Sequence, residues 1–140
     1  KLTRSNQQGV LRNKVQRDGI YRLDQLLAFD VSRERPSAFT VEGTRWSTSN
    51  WAELCTKLVG WLVRTNRLRK EHLPVKNSAE RDKYFVSIED KHENPLRDGA
   101  WKEVEGIYVD TKYRADIHVK NITKLVKDIG QGELDIRIIF

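Results

Sequence analysis

Asp110 and Lys112 stand one residue apart at the end of the hydrophobic run Ile107-Tyr108-Val109. That pairing suits a metal-dependent nuclease: the carboxylate holds Mg²⁺, and the lysine steadies the attacking water or the phosphate. Such a site needs a second acid upstream, and Asp98, Glu103 or Glu105 would serve. The competing reading has Asp110 or Thr111 capping the next helix, with Lys112 exposed. In a lysine-rich chain the capping reading is preferred. His72, His92 and His118 are far apart and form no paired-histidine metal motif. His118 reads as a surface or boundary residue of a helix. His92 lies in a polar loop with nothing near it in sequence to orient it. Cys55 is the one cysteine, which excludes an intrachain disulfide and a multi-cysteine zinc site. It reads as a small core residue, because no histidine lies near it in sequence to act as its base. There is no G-x-G-x-x-G, P-loop or nucleophile elbow. No catalytic residue, metal or cofactor is assigned.

Charge is the broader signal. The 140 residues carry 26 Lys and Arg against 20 Asp and Glu, a net charge of +6. Residues 1–77 hold 15 basic and 7 acidic side chains, whereas residues 78–112 hold 6 and 9, so the N-terminal half is the electropositive one. Arg64, Arg67, Arg69 and Lys70 cluster where a helix exits. Arg45 projects from a hairpin beside Trp46. Lys112 and Arg114 stand near the start of the last helix, with Lys120 and Lys124 further along it. These nine are the candidate nucleic-acid contacts, since Arg and Lys bind phosphate without reading sequence. Trp46, where exposed, would stack on a base. The plainer reading of the charge is a solvated face that keeps the chain soluble. Lys120, Lys124 and Lys127 lie on or near one face of that last helix.

The elements that would position these groups follow from pattern. Phe39 and Val41 alternate with Thr40 and Glu42, Glu42-Gly43 makes a tight turn, and Arg45-Trp46-Ser47 returns. Asn50, or Ser49, caps a long helix, with Glu53 completing a capping box. Trp51, Leu54, Cys55, Leu58, Val59 and Leu62 then share one face. Lys1 to Arg17, with Leu2, Val10, Leu11 and Val15 among polar residues, is a weak helix broken at Asp18-Gly19, and Ile20–Phe29 has the spacing of a short second helix. Residues 83–88 and 107–110 read as strands separated by a polar loop, 89–105. Residues 115–129 read as a helix closed by Gly130, and 134–140 as a final strand. No internal repeat is read. The fold class is therefore α+β, with helices packed on a small mixed or antiparallel sheet. Residues 1–35 form an N-terminal helical arm or linker, and 36–140 the compact domain. No apolar run spans a membrane, and a cytoplasmic setting is expected. A chain that starts at Lys1 and lacks methionine reads as a piece of a longer protein.

Three blocks carry a resemblance: RPSAFTVEGTRWSTSNWAELCTKLVGWL at 35–62, GIYVDTKYRADIHVKNI at 106–122, and GELDIRIIF at 132–140. Together they resemble a small uncharacterised C-terminal accessory domain of bacterial proteins, some linked to restriction and phage-defence systems. Pro36, Phe39, Gly43, Trp51, Asp110 and Thr111 fit its pattern, while Lys112 stands where that pattern has Asn. The resemblance implies a context in DNA processing and no active site. The leading expectation is a non-enzymatic nucleic-acid-binding module, DNA before RNA. A protein-interaction or homodimerisation module comes second, from the apolar central helix and the Ile138-Ile139-Phe140 end. A Mg²⁺-dependent nuclease comes third.

Overall fold

A computed structural model describes residues 12–140. Eight strands form two four-stranded sheets, antiparallel throughout. The first contains β1 (Ile20–Arg22), β2 (Ala38–Val41), β3 (Thr44–Ser47) and β8 (Ile136–Ile139), in the order β1-β8-β2-β3. The second contains β4 (Val75–Lys76), β5 (Tyr84–Ser87), β6 (Trp101–Val104) and β7 (Ile107–Asp110), in the order β4-β5-β7-β6. Among the described residues two α-helices, α1 (Trp51–Arg64) and α2 (Ala115–Asp128), and two short 3-10 helices accompany the sheets. The α+β class stands, and among the described residues no helix is long and apolar enough to cross a membrane.

Both hairpins close through the same two residues. Glu42 and Gly43 have φ of 49° and 84°, and Glu105 and Gly106 have 52° and 84°. Two successive positive φ values give the turn whose twist matches paired strands, and glycine adopts the second without a Cβ clash. Val-Glu-Gly thus occurs twice, at 41–43 and 104–106. That correspondence escapes a search for long repeats.

Helix α1 forms because its apolar residues fall on one side and its start is capped. The Glu53 N–H donates to Asn50 Oδ1 at 2.8 Å, and the Ser49 N–H donates to Glu53 Oε1 at 2.7 Å. Asn50 is the cap, as its side chain predicts. Leu54, Leu58 and Leu62 are fully buried, each worth roughly 1.5–3 kcal/mol relative to exposure. The helix touches both sheets. Trp61 meets Trp46 of β3 edge-on at 6.4 Å, and Trp51 packs on Phe140 at 5.9 Å. On the other side Gly60 lies against β6: a Cβ there would stand 3.1 Å from Val104 Cγ1. This contact explains a glycine in mid-helix, where it otherwise weakens the helix.

Four expectations are corrected. Residues 20–28 are not one α-helix: Ile20–Arg22 is a strand paired with β8, and Leu23–Ala28 is a 3-10 helix. Leu23, Leu26 and Val31 lie in the core, so residues 12–35 are part of the compact body rather than a helical arm. The edge of β8 supplies the partner that local periodicity cannot register. The expected helix before Asp18 falls largely outside the described residues. The polar stretch 89–105 contains β6, hidden because Lys102 and Glu103 break its apolar pattern. The C-terminal strand offers no free edge to another chain, since β8 lies between β1 and β2.

Candidate nucleic-acid interface and a buried polar centre

A cleft of about 730 Å³ runs between the edge strands β3 and β6, floored by α1. Trp46 of β3 forms one wall, and Lys102 and Val104 of β6 the other. Thr56, Lys57 and Arg64 rise from the floor. Lys102 shares a sheet face with Val104 because β-strand side chains alternate, and both face α1. Trp46 is half-buried and fixed. It stacks on Phe39 at 5.4 Å with planes 18° apart, and its neighbour Trp61 carries the Arg67 guanidinium 4.6 Å above its ring. Glu53 and Glu103 also line the cleft. Glu53 is held ionised, below the usual carboxylate range, first by the Ser49 N–H and then by the Thr48 and Ser49 hydroxyls.

Lys57 bonds the Ser47 carbonyl at 2.6 Å and lies 3.8 Å from Glu53, and Arg64 lies 3.4 Å from Glu105. Exposed pairs of this kind contribute about 0–1 kcal/mol, so a phosphate can replace the acid. Lys102 has no acidic partner within 4.0 Å among the described residues.

The nine cations singled out from sequence do not form one patch. Arg64 lines the cleft, and Arg67 stands over Trp61. Arg69 and Lys70 line a separate hollow beyond the end of α1, with Arg69 bonded to Glu71 at 2.9 Å. Arg45 is exposed on the other face of β3 from Trp46, opposite Thr40. The remaining four belong to α2 and its approach. Lys112 pairs with Asp98 at 3.6 Å, Arg114 with Asp116 at 3.2 Å, and Lys124 with Asp128, while Lys120 is exposed. Sequence reasoning missed Lys57 and Lys102 as members of the cleft. They lie 45 positions apart, and only the packing of β6 beside α1 brings them together.

Asp110 is not an open metal ligand. Its side chain is fully buried, and Oδ1 accepts the N–H groups of Ala100 at 2.9 Å and Lys112 at 3.0 Å. Oδ2 lies 2.8 Å from His92 Nε2, meeting it obliquely rather than in line. Asp110 caps no helix either, since Arg114 occupies the N-cap position of α2. His92 is oriented after all. Its Nδ1 accepts the Tyr84 N–H at 2.8 Å, which leaves the neutral ring's proton on Nε2, facing Asp110. Its ring packs 4.7 Å from Trp101, and Gly99 closes over the pair. The centre anchors the 88–100 loop to the outer side of the second sheet. Among the described residues no three His, Cys, Asp or Glu side chains are arranged to hold a metal ion.

Cys55 and His118 are also brought together: Sγ lies 3.4 Å from Nδ1 across 63 residues of sequence. His118 is buried, not a boundary residue, and Tyr113 stands edge-on to it at 5.9 Å. The pair has the spacing of a thiol and its base but lacks the chemistry. Cys55 is fully buried, and burial pushes its thiol far up, away from the nucleophilic thiolate. Burial pushes the His118 imidazole down to about 4, against the opposing pull of the Thr111 backbone and the Asp110 charge. Tyr113 donates to the Tyr84 carbonyl at 3.0 Å, and burial raises its phenol. Both assemblies are therefore read as internal polar packing.

Comparison of the chain with family models, curated proteins and solved structures finds no match.

Proposed function

We propose that this chain is a non-enzymatic module that binds nucleic acid, DNA before RNA, in the cleft between β3 and β6. One observation carries the reading: Lys57, Arg64 and Lys102 converge from two elements on a concave surface walled by the half-buried Trp46. Cations at that spacing attract phosphate, and the indole offers a face to a base. Arg67 extends the positive surface beyond Trp61. The burial of Asp110 and its two backbone donors weigh against the Mg²⁺-nuclease reading. The pairing of β8 on both sides weighs against a dimerisation module built on the Ile138-Ile139-Phe140 end. Membership of a larger bacterial DNA-processing or defence protein is carried by the resemblance of residues 35–140.

The test is a titration of labelled single-stranded and duplex DNA at 50 and 200 mM salt, with and without Mg²⁺. Three phosphate contacts predict a slope of log K against log salt of about −2 on a single strand, or a loss near 20-fold over that range. The combined change Lys57→Glu, Arg64→Glu, Lys102→Glu is expected to abolish binding without unfolding the chain. Failure to bind either form at 50 mM salt sinks the proposal, and Mg²⁺-dependent cleavage would sink its non-enzymatic part.

A further inference from the structure

The cleft's shape bears on which form of nucleic acid it takes. This step rests on the nucleic-acid reading above. A protein that reads duplex DNA commonly inserts a helix or a two-stranded ribbon into the major groove, about 12 Å wide. Here α1 is recessed. It lies between the two sheets, and its polar side is the floor of a concavity rather than a ridge. A duplex also keeps its base faces stacked inside, where a tryptophan in a cleft wall cannot reach them. An unpaired strand has no such restriction: it bends into a cleft and presents its base faces.

Trp46 is built as a stacking platform. Phe39 backs it, nearly parallel, and Trp61 buttresses it, so the ring is ordered before anything binds. Preorganisation of this kind lowers the entropy lost on association. From Glu53 to Arg64 the floor runs about 16 Å along the helix, room for a short stretch of strand. Lys57 and Arg64 stand along that run, with Lys102 across from them. Glu103, between Lys102 and Val104, points to the opposite face of β6 with Trp101, away from the floor of the cleft.

We propose that the cleft between β3 and β6 holds one unpaired nucleic-acid strand, with a base laid on Trp46 and the adjoining phosphates at Lys57, Arg64 and Lys102.

The experiment uses the full chain and a fluorescein-labelled ten-nucleotide DNA, as a single strand and annealed to its complement. Anisotropy is read at 50 and 200 mM salt for wild type, Trp46→Ala, Trp46→Phe and Lys102→Ala. The single strand is expected to bind at least 10-fold tighter than the duplex. Trp46→Ala should weaken the single strand by roughly 5- to 150-fold, the range of one base–aromatic stack. Trp46→Phe should retain most of the affinity, and so covers the case in which the alanine variant fails to fold. Lys102→Ala should reduce the salt slope by about 0.7. Equal or tighter duplex binding overturns the single-strand inference and leaves the nucleic-acid reading in place. So does an unchanged affinity in folded Trp46→Ala. No binding to either DNA overturns both.

Discussion

Acidification from pH 7 to pH 5 should remove about 2 kcal/mol of stability through His118 alone. The imidazole is buried among Cys55, Tyr113 and the α1–α2 packing, and desolvation is the largest influence on it. Its ordinary value of 6.5 falls to about 4 in the folded chain. The unfolded chain therefore takes up a proton near pH 6.5, whereas the folded chain resists until near pH 4. Between those limits the unfolded state binds more protons, so stability falls as pH falls. The contribution is fully present above pH 6.5. At 1.36 kcal/mol per pH unit, the full loss approaches roughly 3 kcal/mol near pH 4, of which about 2 kcal/mol has gone by pH 5. Within a total stability of about 5–15 kcal/mol for a domain, that is a large share.

The assay is urea unfolding followed by tryptophan fluorescence at pH 7, 6 and 5, on wild type and His118→Gln. With a slope of roughly 2 kcal/mol per molar urea, the wild-type midpoint should fall by about 1 M between pH 7 and pH 5. The glutamine variant starts from its own stability at pH 7, so the comparison is between the two pH dependences. Its midpoint should move distinctly less. The window above pH 5 also keeps the test clear of Glu53 and Asp82, whose carboxyls are held below their ordinary values and titrate at lower pH. Equal losses in the two proteins would refute the assignment of the proton to His118.

The buried centre under the 88–100 loop gives two further expectations. His92→Ala leaves the Tyr84 N–H without its acceptor and Asp110 Oδ2 without its neighbour, besides the space of the ring. A loss of roughly 3–5 kcal/mol is expected, as for a buried pair broken from one side, and a urea midpoint within 0.3 M of wild type (~0.6 kcal/mol at the slope above) would contradict it. Gly99→Ala places a Cβ about 2.7 Å from Trp101 Nε1 and 3.1 Å from both Asp110 Oδ2 and His92 Nε2. Overpacking there should cost about 1–3 kcal/mol, and a variant as stable as wild type in the same unfolding assay would show that the loop does not close on the pair as described.

What could be read in the chain before its structure divides along physical lines. The 38–47 hairpin, the Asn50 cap, α1, α2 and the final strand all declare themselves locally. Period-two alternation, a glycine at a positive φ, a capping amide and a one-sided apolar stripe are decided within about ten residues of chain. The strand β1 has no such signal. Three residues long, it exists because β8, more than a hundred residues later, leaves an edge for it. The strand β6 carried a signal of a different kind. Val-Glu-Gly at 104–106 repeats the turn at 41–43, and matching the two would have turned a polar loop into a hairpin. The site was least legible. Of the cations chosen from sequence, those adjacent in the chain, Arg64 and Arg67, stay near the cleft, while the lysines of α2 do not line it. Lys57 and Lys102 could not be paired from sequence, because their proximity depends on Gly60 letting α1 settle against Val104. The same holds for Cys55 with His118, and for His92 with Asp110. In each case the chain fixes the chemistry of one group, and long-range packing chooses its neighbour and so decides whether that chemistry is expressed. Cys55 shows the consequence: packing supplies the histidine that the sequence lacked nearby, and the same packing excludes the water and charge that would activate the thiol.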